Sequence, residues 1–175
     1  INNIAPTDDE KQFREQLLRG YVHDPGSAMF GGVAGHAGLF SNVHDLAILY
    51  TMLLNGGEWD GRHYLKKETI DYFTAYHSDI SRRAFGFDKP EKPARPAGGD
   101  NAKREEPYPC ISASPMAYGH SGFTGIWVWV DPKYNLWFIF LSNHVNPEAG
   151  SNTKHINMNV RGKILEAVYE AMYKK

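Results

Sequence analysis

Apolar positions along this chain fall into a few periodic blocks separated by glycine- and proline-rich breaks. Val43, Leu46, Ala47, Tyr50, Leu53 and Leu54 recur at three-to-four spacing. This predicts an amphipathic helix capped by Ser41 and ended by Asn55-Gly56-Gly57. Trp127-Val128-Trp129-Val130 and the stretch 136–141 are apolar on both faces, with the turn Asp131-Pro132-Lys133-Tyr134-Asn135 between them. They predict two adjacent central strands. Ile156, Val160, Ile164, Val168 and Met172 recur every four residues, which predicts one long terminal helix whose continuous stripe lies across a face of the sheet.

Shorter signals fill the gaps. Thr7-Asp8-Asp9-Glu10 has the form of a capping box, and with Phe13, Leu17 and Leu18 it predicts a short helix over 8–18. Asp60-Gly61 marks a tight hairpin between Glu58-Trp59 and Arg62-His63-Tyr64, and a further helix is expected over 66–76. No internal repeat is evident. Helices, a hairpin, strands and a last helix in that order imply an α+β fold, an antiparallel sheet flanked by helices.

Two breaks stand out. The run Gly31-Gly32-Val33-Ala34-Gly35-His36-Ala37-Gly38 is dense in the one residue that tolerates backbone angles closed to others. Residues 87–109 carry five prolines, Gly98-Gly99 and the charged run Lys103-Arg104-Glu105-Glu106, the composition of a long surface loop or insertion. At 175 residues and 42% hydrophobic the chain reads as a single domain, 1–175. With 19 Lys and Arg against 20 Asp and Glu it has no basic field for nucleic acid. The lone Cys110 can form neither an internal disulfide nor a zinc knuckle, and no stretch approaches the roughly 20 apolar residues needed to cross a bilayer.

Several motifs suggest chemistry and are set aside on spacing. Ser151-Asn152-Thr153-Lys154 matches a Ser-x-x-Lys nucleophile pair, but it follows every other site-like feature and reads as a helix cap with a solvated lysine. Gly119-His120-Ser121-Gly122-Phe123 misses the Gly-x-Ser-x-Gly elbow because Phe123 replaces the last glycine. The glycine loop has no lysine at the spacing of a phosphate cradle, and the eight histidines form no metal-binding pair; the nearest companions are His23-Asp24 and His77-x-Asp79. No metal or cofactor is expected. What remains is His120-Ser121-Gly122: a donor, a hydroxyl and a glycine on a sheet edge, which can hold an acyl substrate as an added strand.

The context of that tripeptide is specific. The run from Gly31 to Gly38 followed by Leu39-Phe40-Ser41 and His44-Asp45-Leu46-Ala47 resembles a stretch of the serine β-lactamase-related family, which includes class C β-lactamases, penicillin-binding DD-peptidases and esterases. Tyr118-Gly119-His120-Ser121-Gly122-Phe123-Thr124-Gly125, then Trp129-Val130-Asp131-Pro132 and 138–143, resembles that family's third motif and the hairpin behind it. The resemblance implies a partial β-lactamase/transpeptidase-like fold, with this chain as the C-terminal part of the domain. The family's Ser-x-x-Lys and Tyr-x-Asn motifs, and any secretion signal, would lie upstream; no Tyr-x-Asn occurs in the sequence.

By the same resemblance His120 and Ser121 are the catalytic candidates, binding a substrate carboxylate or assisting proton transfer. Tyr118, Gly122 and Phe123 are the substrate-binding candidates, with the Phe123 amide as half of an oxyanion hole. Histidine where true β-lactamases carry lysine points to esterase or peptidase chemistry on a peptidoglycan-like acyl substrate in the periplasm, envelope or secreted space. Some relatives carry a fused glycoside hydrolase module. The partners implied are that substrate, the missing N-terminal half and, through apolar faces left bare, further copies of the chain. The alternative is a non-catalytic envelope-associated module in which Trp127, Trp129 and Trp137 stack on sugars, although the strand pattern places most of these indoles in the core.

Overall fold

The computed structural model describes residues 3–91, 107–147 and 153–173. Its centre is an antiparallel three-stranded sheet, ordered β5 (Tyr118–Ser121), β6 (Trp127–Asp131), β7 (Leu136–Phe140). In register, Trp129 of β6 faces Gly119 on one side and Phe138 on the other. All five residues of β6 are buried, as its doubly apolar pattern requires. Only β6 is central: β7 forms an edge of the sheet with Trp137 37% exposed, so the expectation of two central strands holds for one of them.

Alternation along β6 assigns the two faces. Trp127 and Trp129 join Tyr108, Cys110, Ala117, Leu165 and Tyr169 in the main core cluster, beneath helix α5 (Val160–Tyr173). Val128 and Val130 look the other way, toward α2 (Val43–Leu54), whose Leu46 and Met52 are buried and whose Thr51 hydroxyl accepts the Trp137 indole N–H at 3.1 Å. Burying an aromatic side chain contributes about 1.5–3 kcal/mol, so the ring pair Trp127 and Trp129, each 2% exposed, is a principal anchor of the sheet. Helices α1 (Pro25–Met29) and α3 (Lys67–Thr74) and the small hairpin β3–β4 (Glu58–Trp59, Arg62–His63) complete the middle of the chain.

Several sequence expectations are corrected by the structure. The segment 8–18 is no helix but a hairpin, β1 (Pro6–Glu10) against β2 (Gln16–Arg19). The acidic signal caps a turn instead: the Glu10 carboxylate accepts the amides of Arg14, Gln12 and Phe13, which hold its carboxyl down to about 2. The cap of α2 is Asn42, not Ser41; its side chain accepts the His44 and Asp45 amides at 2.9 and 3.1 Å.

The terminal helix is two helices, α4 (Lys154–Asn157) and α5, broken where Asn159 takes a left-handed φ of 49°. Its buried stripe is also turned from the predicted one. Leu165 and Tyr169 face the core, while Ile156, Ile164 and Met172 are 40–45% exposed. Thr153 occupies the N-cap position of α4, with no side-chain cap bond, and Ser151 lies outside the described residues. Of the stretch 87–109, residues 92–106 likewise lie outside them. Its two ends are core and not surface: Asp88, Lys89, Tyr108 and Pro109 are all buried.

Candidate active site

The third-motif run forms β5 and the turn that leads into β6. Gly119 is required by packing, because a Cβ there would lie 2.1 Å from the Val128 carbonyl oxygen and 2.7 Å from the Trp129 ring. Asp88 pairs with the outer edge of β5 at this one residue, through backbone bonds of 2.6 and 3.0 Å to Gly119. The edge beyond, toward Ser121 and the turn, is not paired by any described strand.

The candidate side chains divide by face. Tyr118, opposite Val130, is 2% exposed and packs edge-on against Phe87 at 5.2 Å; burial raises its hydroxyl pKa. It holds the strand in place and offers almost no surface. His120, opposite Val128, is exposed, and Ser121, opposite Trp127, is half-buried. Alternation sends these two toward opposite faces, so a ligand meets both only along the strand edge. Gly122 begins the turn, its amide bonded to the Ile126 carbonyl at 2.8 Å. A Cβ on Gly122 would meet only Ile126 at ordinary contact distance, 3.5 Å.

Residues distant in sequence immobilise this motif. His120 Nδ1 lies 2.9 Å from the Ser121 carbonyl oxygen, and its Nε2 lies 3.2 Å from Arg83 Nη1. Arg83 in turn lies 2.7 Å from Asp88 Oδ1, whose partner Oδ2 accepts the Tyr108 hydroxyl at 3.0 Å. Tyr108, pushed up to about 12 by burial and the neighbouring Asp88 charge, accepts the Trp127 indole N–H at 3.2 Å. At the turn, the Phe123 ring is 71% exposed yet stacks on His23 at 5.1 Å, and the Phe123 carbonyl accepts His144 Nε2 at 2.7 Å. His23 is oriented by the buried Asp8 at 3.0 Å.

Arg83, Asp88, Tyr108 and His144 belong to no motif in the sequence and come to the site only through the fold. The adjacent pair His23-Asp24 also proves to be two separate pairs. Asp24 accepts the Ser27 amide and binds His36 at 2.8 Å, and both lower its pKa. Among the described residues no group of three or more His, Cys, Asp or Glu side chains is placed to hold a metal ion. No helix among them is long and apolar enough to cross a membrane. The indoles do not form a stacking row, since Trp127 and Trp129 are buried and only Trp137 of the three is exposed.

The antiparallel sheet, packed between α5 on one face and α2 on the other, carries the His-Ser-Gly run at the end of an edge strand. The chain belongs to the beta-lactamase family, whose model matches residues 4–161. It is similar to an N-acetylmuramyl-L-alanine amidase of Bacillus subtilis (strain 168), 34% identical over 91% of this chain and 36% of that protein. Putative D-alanyl-D-alanine carboxypeptidases of Escherichia coli (strain K12) and Salmonella enteritidis PT4 (strain P125109) are 34% and 32% identical, each over 89% of this chain and 34% of their own length. The chain therefore spans about a third of the length of the curated relatives it matches.

Proposed function

We propose that this chain supplies the third-motif wall of a serine hydrolase that acts through an acyl-enzyme on an amide or ester substrate of peptidoglycan-like chemistry. In this reading the chain is the C-terminal part of a transpeptidase-like domain, and the serine nucleophile with its lysine comes from a segment before Ile1. The observation that carries it is the β5 edge. His120 is exposed there, Gly122 leaves room for a backbone to approach, and Asp88 occupies the edge only at Gly119.

A substrate strand laid along that edge would find the His120 ring, the Ser121 hydroxyl and the Phe123 amide in sequence, the last positioned as one oxyanion donor. The carboxypeptidase and amidase names of its relatives support an envelope setting and a peptidoglycan-like substrate. The apolar side chains Met29, Phe30, Val33 and Leu39, each 73–80% exposed, form the face that the rest of the domain would cover. Where that cover is lacking, this face favours self-association.

Without a nucleophile the covalent route is closed and only weak residual catalysis survives. The 175-residue chain alone should not hydrolyse a chromogenic β-lactam, a short-chain ester or a D-alanyl-D-alanine peptide, whereas the full-length protein should be acylated by a labelled β-lactam or ester. Rapid turnover by the isolated chain, abolished by Ser151→Ala, would overturn the reading and reinstate the Ser151-Lys154 pair.

A further inference from the structure

Asp88 holds the motif strand twice over. Its backbone pairs with Gly119, the residue before His120, and its carboxylate holds the guanidinium that reaches the His120 ring. The carboxylate is itself fixed from below: Asp88 is 1% exposed and accepts the hydroxyl of Tyr108, which accepts the indole N–H of Trp127 in the facing strand. Arg82 lies over the Tyr108 ring at 4.3 Å and 3.8 Å from the same carboxylate, closing the cluster from the solvent side. One line of contacts thus runs from the sheet core to an exposed imidazole.

The chemistry of the donors settles what this line does. An arginine in a protein has five N–H donors, no acceptor, and does not deprotonate. A ring nitrogen that faces it must therefore present a lone pair. The other nitrogen faces the Ser121 carbonyl, which can only accept, so it must carry the proton. Both contacts select the same tautomer.

We infer that Arg83 is a positioning residue that fixes His120 as the Nδ1–H tautomer, with the single Nε2 lone pair facing the Arg83 N–H. This rests on the proposed function for its catalytic meaning and narrows the two roles left open for His120: with Nδ1–H on the Ser121 carbonyl and Nε2 facing Arg83, the ring has no N–H to give a substrate carboxylate, and it takes up a proton only where Arg83 yields Nε2. Asp88 is the anchor of Arg83, and Tyr108 and Trp127 are the anchor of Asp88. An arginine anchored only in solvent would sample many rotamers, whereas one paired to a buried carboxylate is held on one side of the ring.

The test reads nitrogen protonation directly and needs no substrate. In the full chain, long-range 15N–1H spectra of the histidines in mildly alkaline solution should show His120 with a protonated Nδ1 and an unprotonated Nε2. In Arg83→Ala a substantial Nε2–H population should appear, because the ring then keeps only the Ser121 carbonyl contact against its own preference for that form. Arg83→Lys, which keeps a cationic donor, should restore the Nδ1–H pattern. Asp88→Asn, which leaves the backbone bonds to Gly119 in place, should fall between.

An unchanged tautomer in Arg83→Ala, or an Nε2–H tautomer in the unmodified chain, overturns the inference. If Arg83→Ala lost its folded spectrum, the Asp88→Asn and Arg83→Lys spectra would decide the question in its place. The failure of the two readings is distinguishable. A full-length protein that is never acylated refutes the hydrolase reading without touching the tautomer, and a wrong tautomer leaves acylation standing.

Discussion

Two carboxylates sit at the same depth in this protein and do different work. Asp131 and Asp88 are each 1% exposed. Asp131 accepts the Ser114 amide and hydroxyl at 2.9 and 2.6 Å, the Tyr169 hydroxyl at 2.7 Å and the Lys133 amide at 3.1 Å. Every one of those donors is neutral, and together they tie the 114 turn, the end of β6 and helix α5 into one unit. Asp88 has one neutral hydroxyl, and its nearest cation is the half-exposed Arg83. A buried charge ringed by neutral donors is confined to the framework. One whose partner is a surface cation transmits its fixed position outward, here to His120.

That contrast makes a prediction about stability. Removing Asp131 strands the Ser114 and Tyr169 donors inside the core, so Asp131→Ala should lower unfolding free energy by about 3 kcal/mol or more. Asp88→Ala should cost less, about 1–2 kcal/mol, because it strands one buried hydroxyl, that of Tyr108, while the half-exposed Arg83 can turn to water and the Gly119 bonds are backbone. Urea unfolding of both variants checks the order. An Asp88→Ala loss equal to or larger than that of Asp131→Ala would break the division of roles.

The framework was far more legible in the sequence than the support of the site. Helix α2 and the β6–β7 hairpin lie where the apolar blocks predict them, although in α2 only Leu46 of the predicted stripe is buried, Val43 is exposed, and the other buried residue, Met52, lies outside the stripe. The segment 8–18 misleads since Phe13 and Leu17, the residues that suggest a helix face, are 57% and 56% exposed, and Glu10 serves a turn as readily as a helix. The α5 stripe is misplaced because Ile164 is only slightly more apolar in pattern than its neighbour Leu165, which is the one that reaches the core. His120, Ser121 and Gly122 were visible because a motif is contiguous. Arg83 lies 37 residues from His120, and an ion-paired cluster across a proline-rich connection leaves no periodic trace.

A second comparison lies within the motif itself. Gly119 is demanded by the protein's own packing, since a Cβ would overlap the Val128 carbonyl at 2.1 Å, whereas nothing in the chain crowds a Cβ at Gly122. Gly119→Ala should cost about 1–3 kcal/mol of stability by overpacking. Gly122→Ala should stay within about 0.5 kcal/mol and yet impair acylation of the full-length protein, if the glycine is there for a substrate backbone. Thermal unfolding measured alongside acylation rate separates the two glycines. Full acylation by Gly122→Ala would remove the reason for placing the substrate on this edge.

The last effect expected is a dependence on pH and not a fixed loss. Lys89 follows Asp88 in sequence but turns inward, 3% exposed, donating to the Met116 carbonyl at 3.1 Å and lying 5.0 Å from the Tyr76 ring centre. Burial lowers its pKa to about 8, and the field of Asp131 opposes that only in part. Its pKa is lower in the folded chain than in the unfolded one, so between about 8 and its ordinary value of 10.5 the unfolded chain binds the extra proton. Stability from this group therefore rises with pH across that window and is lowest below it. Cys110, pushed up to about 12 by burial and then by Glu166, drives stability the opposite way above its ordinary value of 9.0. That drift is common to any variant elsewhere and cancels in a difference. The unfolding free energy of the unmodified chain minus that of Lys89→Met should thus increase by on the order of 1–2 kcal/mol from neutral pH to the top of the window. A difference independent of pH would mean that Lys89 stays solvated and charged.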